Sequence, residues 1–261
     1  MELTLQHSKK STFRLIITAV GIVVLTPILT IPMLLSALLV KPGKFSYLIM
    51  KTWNRAVAKL MGLRFSLSGV ENLDTNTSYI ITPNHQGLAD ILAIVSTLPV
   101  RFRWVVKREL FKIPVWGLAL WATGAIPIDR SNSATAIKRL NKEKDEKLKG
   151  GWSVVIYPEG TRTPDGKLKD FKKGAFMMAV QTGIPILPVV CNGAFKVLPK
   201  KTLAFRPGHI KLNICPPIPT QGLSEEDVPE LMSRTRQAIL AKLQLDYDPF
   251  LNGEPCSANV L

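Results

Sequence analysis

The feature that constrains this chain most is a long apolar run near its start, because residues 15–40 contain no charged side chain. A helix of that length, at about 1.5 Å per residue, exceeds the ~30 Å hydrocarbon core of a bilayer. The run is too long for a secretory signal, and no convincing small-residue cleavage site follows it. A water-soluble core helix of this length would carry polar interruptions. The run therefore predicts a membrane-embedded helical segment at the N-terminus.

Two prolines, Pro27 and Pro32, divide this run. Proline inside a helix removes a hydrogen bond and clashes with the preceding turn, and each half alone, at about 20 Å, is too short to span a bilayer. Basic residues flank both ends of the run, at positions 9, 10, 14, 41, 44, 51 and 55. Since positive charge marks the cytoplasmic side, this symmetry favours a hairpin over 13–40 that enters one leaflet, with a single kinked span as the alternative.

A second helix follows over 45–62, where apolar residues recur at helical spacing and Gly62 provides a C-cap. It would lie along the membrane surface or pack on the rest of the protein. Together with the hairpin it makes residues 1–62 a membrane-binding region.

Residues 63–248 alternate between strand-like and helix-like segments. Such alternation predicts an α/β domain with a mainly parallel sheet flanked by helices. Residues 249–261, which include prolines and a glycine, are predicted to form a flexible tail. The predicted strands are 64–70, 78–82, 102–106, 125–128, 152–157 and 186–191, with a β extension over 195–214.

Basic residues stand where several predicted strands end: Lys107, Arg130 and Arg162. In open α/β sheets ligands bind at the carboxyl edge of the strands, and an arginine fork suits phosphate. The pattern predicts an anion pocket. Asp129–Arg130 and Glu159–Arg162 could instead be internal salt bridges. A lysine cluster over 167–173 is either a solvated face or a contact for membrane phosphates or an acidic acyl carrier.

His85 and Asp90 lie at the same edge, where one predicted strand leads into a helix. A neutral imidazole can accept a proton near pH 7, and a carboxylate can hold its other nitrogen. Residues five apart do not share a helix face, so the two can meet only if His85 is on the loop and Asp90 near the start of the helix. Asp90 alone could be a plain N-cap.

The formal net charge of +15 indicates an anionic partner, either nucleic acid or an acidic membrane. No helix-turn-helix, zinc-finger spacing or RNA-binding aromatic signature is visible, which disfavours nucleic acid. The three cysteines are scattered and form no C-x-x-C pair, which disfavours a disulfide framework or a metal site.

Four blocks of sequence resemble the glycerolipid acyltransferase family, and specifically the 1-acylglycerol-3-phosphate acyltransferases with their H-x-x-x-x-D motif. They are N-H-Q-G-L-A-D at 84–90, G-A-I-P-I-D-R at 124–130, Y-P-E-G-T-R-T at 157–163 and I-P-I-L-P-V-V at 184–190. Three positions depart from the common pattern. Gly87 replaces a serine, Pro127 an aromatic or aliphatic residue, and Tyr157 a phenylalanine.

The resemblance implies the family's α/β fold and acyl transfer from acyl-CoA or acyl-carrier protein to the sn-2 hydroxyl of 1-acyl-glycerol-3-phosphate, giving phosphatidic acid. It assigns His85 as general base and Asp90 as its orienting partner. It assigns the acceptor-phosphate site to Arg130, Glu159, Gly160 and Arg162. Lys107 is added from its own charge and position at a strand end.

Direct transfer is expected, without an acyl-enzyme, a metal or a cofactor, since no serine or cysteine motif competes as nucleophile. The expected partners are membrane phospholipids, lysophosphatidate and the acyl donor, with no nucleic acid and no obligate protein partner. The catalytic domain is expected on the cytoplasmic face of the membrane. Another lysophospholipid or glycerol 3-phosphate is the alternative acceptor, and a non-catalytic membrane lipid-binding protein is the alternative of another class.

Overall fold

The computed structural model describes residues 2–40, 43–128, 151–198 and 205–250, with side chains from residue 13 onwards and without that of residue 40. Within these ranges the helices are α1 (Glu2–Val40), α2 (Lys44–Met61), α3 (Ala89–Thr97), α4 (Trp116–Ala122), α5 (Gly174–Thr182), α6 (Ala194–Val197) and α7 (Val228–Leu240). The strands are β1 (Arg64–Ser68), β2 (Ile80–Pro83), β3 (Phe102–Lys107), β4 (Ile126–Ile128), β5 (Ser153–Val155), β6 (Ile186–Asn192) and β7 (His209–Ile214). Short 3₁₀ turns occupy Val70–Asn72, Arg108–Lys112 and Glu225–Asp227.

The strands form one seven-stranded sheet in the order β1-β7-β6-β2-β5-β3-β4. Its neighbouring strands pair in parallel, except β6 with β7, which are antiparallel. The prediction of a mainly parallel sheet flanked by helices is confirmed. β2 lies between β5 and β6, with Ile80 opposite both Val154 and Ile186. The loop that follows β2 therefore emerges at the middle of the sheet's carboxyl edge.

Successive residues of the central strands point to opposite faces of the sheet, as strand geometry requires. Ile81 and Val155 pack with residues of α2 and α3 on one face. Ile80 and Val154 pack with α5 and α7 residues on the other. Because both faces are covered, β2 is buried at every position, which explains its uniformly apolar start.

The N-terminal segment differs from the predicted hairpin. α1 is one continuous helix that contains both Pro27 and Pro32. Each proline removes one backbone hydrogen bond, but the four residues between them, Ile-Leu-Thr-Ile, include no glycine, asparagine or aspartate to reverse the chain. Within the described ranges, Phe13–Leu39 is the helical stretch long and apolar enough to cross a membrane. The domain boundaries at 62 and 249 stay predictions, and residues 251–261 lie outside the described ranges.

Instead, α2 runs antiparallel along α1. Ser36 Oγ lies 3.2 Å from Ser46 Oγ near the turn, and further along Trp53 Nε1 donates to Thr26 Oγ1 at 3.2 Å. α2 spans nearly the helix predicted over 45–62, and Gly62 caps it with a φ of 70°. The two helices thus form a hairpin whose turn lies outside the apolar run.

α2 is also fixed to the C-terminal end of α3. Tyr47 Oη donates to Val100 O at 3.1 Å, and Lys51 Nζ donates to Leu98 O at 3.3 Å. Arg55 donates to Ser96 O through Nε and Nη2, at 3.2 and 3.1 Å. Cations at a helix C-terminus satisfy its free carbonyls and oppose its dipole. Burial, assisted by Arg55, lowers the pKa of Lys51.

Candidate active site

Backbone and amide hydrogen bonds hold the loop after β2 in place. Asn84 Nδ2 donates to Cys191 O at 3.0 Å, and Cys191 N donates to Asn84 Oδ1 at 2.7 Å. This two-way pair ties the end of β2 to β6. Thr163 N donates to His85 O at 2.9 Å, so the loop is held from the β5 side as well. His85 therefore occupies a fixed position at the sheet's edge.

The structure brings His85 and Asp90 together. His85 Nδ1 lies 2.9 Å from Asp90 Oδ2, and the same oxygen accepts from Gln86 N at 2.7 Å and Gly87 N at 2.9 Å. Asp90 is fully buried in the first turn of α3, while the His85 side chain keeps 14% exposure. With Nδ1 bonded to a carboxylate, Nε2 is left to accept a proton. The alternative prediction, that Asp90 is a plain N-cap, is wrong. Leu88 takes the N-cap position, and the Asp90 carboxylate accepts from backbone N–H groups that precede α3.

Tyr157, noted in the sequence only as a departure, contributes directly to the site. Its ring stacks on the His85 imidazole with centroids 3.7 Å apart and planes inclined by 15°. The Trp104 ring also stacks on the Tyr157 ring, with centroids 5.7 Å apart and planes inclined by 16°. The stack restricts rotation of the imidazole. Burial, and then the neighbouring Asp90, raises the pKa of Tyr157, which keeps its hydroxyl protonated. An aromatic residue at the end of a central strand was the available sequence signal.

Glu159, predicted to bind substrate, contacts the loop of residues 84–88, which carries the predicted base His85 and is called the base loop below. Its side chain is buried, Oε1 accepts from His85 N at 2.6 Å, and Oε2 accepts from Lys169 N at 3.0 Å. Burial raises the pKa of Glu159, and the two backbone hydrogen bonds oppose that rise. Both carboxylate oxygens are thus engaged by the protein. The geometry supports a role in holding the loop.

A cavity of about 340 Å³ opens beside His85. Its walls are mainly apolar and include Trp104, Leu110, Trp116, Leu120, Ile128 and Met178. Its polar lining comes chiefly from lysines, namely Lys107, Lys172 and Lys173. Clefts of this size with apolar walls and a few polar groups are typical ligand sites.

The predicted substrate-binding residues take different positions around this cavity. Lys107 and Gly160 line it together with His85, whereas the lining contains neither Glu159 nor the half-buried Arg162. Arg130 lies outside the described residues. Lys107 Nζ also pairs with Glu109 Oε1 at 3.3 Å, both side chains being about half exposed. Lys172 and Lys173 were seen in the sequence only as part of a basic cluster.

Steric crowding explains why position 87 is a glycine. A Cβ there would lie 2.7 Å from Leu198 O and 3.0 Å from Ala194 O, so α6 packs directly on the base loop. The backbone of α6 occupies the space that the side chain of the serine common at this position would need.

Replacing Gly87 with serine is expected to destabilise the protein by about 1–3 kcal/mol, because a close-packed contact must open. The acyl transfer that the resemblance implies should fall with it, since the loop carries His85. Chemical denaturation measures the first effect. Gly174→Ala is the matched control, because nothing lies within 4 Å of the Cβ it would add. Equal stability of the Gly87→Ser and Gly174→Ala proteins would contradict the packing argument.

The chain is similar to known acyltransferases in sequence. Residues 64–192 match the family described as Acyltransferase. The chain is 36% identical to human 1-acyl-sn-glycerol-3-phosphate acyltransferase alpha over 181 residues, which is 69% of this chain and 64% of that protein. It is 33% identical to the human beta protein over 207 residues, 79% of this chain and 74% of that protein.

A solved structure is similar over most of both chains. The 1-acyl-sn-glycerophosphate (LPA) acyltransferase PlsC from Thermotoga maritima superposes with a TM-score of 0.74 at 26% identity, covering 89% of this chain and 95% of that one. The match to the human alpha protein, in contrast, spans just under two thirds of that relative's length. His85, Asp90 and the cavity-lining residues all lie within the family match.

Proposed function

This chain belongs to the acyltransferase family, and from that membership we propose that it transfers an acyl group from an acyl thioester to the sn-2 hydroxyl of 1-acyl-glycerol-3-phosphate, forming phosphatidic acid. The observation that carries the proposal is the His85–Asp90 pair beside a cavity with mainly apolar walls, whose polar lining includes three lysines. The pair supplies a base for a hydroxyl, the apolar walls suit an acyl chain, and the lysines suit a phosphate.

The chemistry follows from the free nitrogen of His85. The acceptor hydroxyl donates to Nε2, and its proton moves to Nε2 as the oxygen attacks the thioester carbonyl carbon. Asp90 stabilises the imidazolium through Nδ1–H. The tetrahedral intermediate then expels the thiolate, the C–S bond breaks, and the proton passes from Nε2 to sulfur. The products are an ester and a free thiol, and the base is regenerated.

The positive groups near His85 support binding of the acceptor phosphate. Lys107, Lys172 and Lys173 are exposed at the cavity, and lysine binds phosphate as a mobile point charge. Gly160 has a φ of 70°, and a Cβ there would lie 3.1 Å from Lys172 Cε. Glycine thus lets that lysine approach the cavity. Arg130 and Arg162 remain predicted contributors to the same site.

Acyl-CoA and acyl-carrier protein are both proposed donors, because each presents a thioester on a negatively charged carrier and the chain has a net charge of +15. The transfer requires no cofactor in this proposal, since the thioester is already activated.

An apolar surface supports membrane association of the catalytic domain as well as of α1. Ile113, Val115, Trp116, Leu118 and Trp121 are all exposed around α4. On the α1 side, large apolar side chains are exposed along the helix, up to 82% at Leu39. α4 packs on α1 through Ala122 against Met33 and Ala37, so the two surfaces adjoin.

The chemistry of the α4 surface matches that of a lipid headgroup region. Tryptophan is enriched at the membrane interface, and Arg108 and Lys112 add positive charge next to the apolar residues. Val115 has a φ of 63°, a strained value for a β-branched residue, and such strain concentrates at functional positions. We therefore propose that the domain contacts the cytoplasmic face of the bilayer through α4. Because Trp116 lines the cavity, this contact would place the opening of the cavity at the lipid surface.

A spin label at position 118 tests this contact. Leu118→Cys, made in a Cys256→Ser background, is labelled and reconstituted into vesicles of neutral and anionic phospholipid. The label is expected to be more accessible to oxygen than to a water-soluble nickel complex. A label at exposed Glu226, on the 3₁₀ turn before α7, is the control and should show the reverse. Water-like accessibility at both positions would remove the α4 contact from the proposal.

The proposed reaction is tested by release of free thiol. The full chain in lipid vesicles is given acyl-CoA or acyl-carrier protein with lysophosphatidate, other lysophospholipids or glycerol 3-phosphate. Thiol release that depends on lysophosphatidate is expected. Release that depends only on a different acceptor would overturn the acceptor assignment. No release with any pair would favour the non-catalytic lipid-binding protein.

A further inference from the structure

Three buried polar atoms next to the base have no hydrogen-bond partner in the described part of the chain, namely the hydroxyl of Tyr157, Oδ1 of Asp90 and Oε1 of Gln86. The amide of Gln86 is held elsewhere, because its Nε2 donates to Gly166 O at 3.2 Å, which leaves the Tyr157 hydroxyl and Asp90 Oδ1 to be explained. Buried polar groups are almost always paired, because an unpaired one loses its hydration without compensation. Two such atoms beside one imidazole therefore need a physical explanation.

Tyr157 and Asp90 both contact His85. The Tyr157 ring lies flat on the His85 ring at 3.7 Å, and His85 is bonded through Nδ1 to Asp90 Oδ2. Tyr157 packs on the face of the sheet that α3 covers, and α3 carries Asp90. Oδ2 of Asp90 accepts three hydrogen bonds, whereas Oδ1 accepts none.

The two atoms are chemically complementary. An ionised carboxylate only accepts hydrogen bonds, and a protonated phenol can donate one. Tyr157 lines the cavity with its ring, but its hydroxyl is shielded from solvent. Burial first, and then Asp90, Cys191 and Glu159, raises the pKa of Tyr157, so the hydroxyl keeps its proton.

We propose that Tyr157 is a positioning residue for the base, whose hydroxyl donates a hydrogen bond to Oδ1 of Asp90 through one bridging water molecule. The inference rests on the proposed role of His85 as base. The phenylalanine common at this position would stack equally well on the imidazole but has no donor. The hydroxyl is therefore an addition to the His85–Asp90 pair that a phenylalanine at this position does not supply.

The added hydrogen bond changes how strongly Asp90 holds a proton on His85. A donor at Oδ1 withdraws negative charge from the carboxylate, which then stabilises the imidazolium less. Tyr157 exchanges no proton in the reaction.

Other ionisable groups around His85 stay in place when the hydroxyl is removed. They are Asp90 from α3, Glu159 after β5, Cys191 in β6, Lys107 at the end of β3, and Lys172 and Lys173 ahead of α5. Any change of titration on removing the hydroxyl is thus attributed to Tyr157.

The test variant is Tyr157→Phe, which keeps the ring and hence the stack. In the full chain in lipid vesicles, the midpoint of the acidic limb of the kcat/KM profile should rise by about 0.5–1 pH unit. Below that midpoint the rate should fall about three- to tenfold, with little change on the alkaline side. Tyr79→Phe, which removes a buried hydroxyl that accepts from Asp74 N at 3.0 Å, should leave the midpoint unchanged. An unmoved midpoint in Tyr157→Phe, even with a lower kcat, would overturn the proposal.

A second measurement separates this inference from the proposed function. The imidazole resonances of the chain in detergent micelles are titrated by NMR, with His7→Gln and His209→Gln identifying His85. The His85 midpoint should rise in Tyr157→Phe whether or not the protein transfers acyl groups. In an Asp90→Asn background the same substitution should produce no rise, because the acceptor charge is gone. A rise that persists there would assign the effect to the ring stack and reject the hydrogen bond.

Discussion

The His85→Ala protein is expected to transfer acyl groups about 10²–10⁴ times more slowly than the unaltered chain, which is the usual contribution of a positioned general base. The acceptor hydroxyl then loses its proton only to water. The loop should keep its shape, because Asp90 Oδ2 still accepts from Gln86 N and Gly87 N. A lower rate in His85→Ala can therefore be attributed to the missing imidazole and not to unfolding of the loop.

The measurement is thiol release with lysophosphatidate as acceptor, on protein whose thermal unfolding has been checked. His209→Ala is the matched control, since His209 Nδ1 pairs with Tyr247 Oη at 2.9 Å and His209 does not line the cavity. It should retain activity close to that of the unaltered chain. A His85→Ala protein within threefold of that control would remove His85 as the base.

Glu159→Ala is expected to have the second large effect, on stability and activity together. Its removal leaves His85 N and Lys169 N without their acceptors, at about 1–3 kcal/mol for each buried donor left unpaired. The base loop would then shift. A misplacement of about 1 Å at a reacting group can cost about 10²-fold in rate.

Glu159→Gln makes the test selective, because its single carbonyl oxygen can accept from only one side of the two-sided contact. We expect a stability between those of the unaltered chain and Glu159→Ala in chemical denaturation. Direct substrate binding by Glu159, which the family resemblance implies, predicts a different pattern. In that case the Glu159→Gln protein would unfold like the unaltered chain and show only a raised KM for lysophosphatidate.

Much of the sheet could be predicted from the sequence because its central strands are buried on both faces. β2 and β6 are buried along their whole length and read as short apolar runs between turn residues. The order of the strands could not be predicted in this way. β7 lies between β1 and β6 and is antiparallel to β6, a placement that depends on long-range pairing.

The relation of His85 to Asp90 could be predicted because helix geometry excludes a spacing of five on one face. The roles of Glu159 and Tyr157 could not, since both depend on contacts with a residue more than 70 positions earlier in the chain. The predicted hairpin over 13–40 is wrong for a local reason. A chain reversal needs turn residues as well as prolines, and the segment between Pro27 and Pro32 contains no glycine, asparagine or aspartate.

The attachment of α2 to the end of α3 has a consequence for regiochemistry. α3 has nine residues and is therefore about 13 Å long, with Asp90 in its first turn and the Lys51 and Arg55 contacts at its end. His85, the proposed base, is thus held at a constant height relative to the α1–α2 helix pair, of which α1 is the proposed membrane helix. In the proposed reaction, a hydroxyl is acylated only if it lies at the same depth in the membrane as His85. Acceptors are then selected by the depth of their hydroxyl as well as by their chemical structure. The glycerol backbone of a lysolipid in a bilayer presents its free hydroxyl at one level, so the membrane itself takes part in choosing the acceptor.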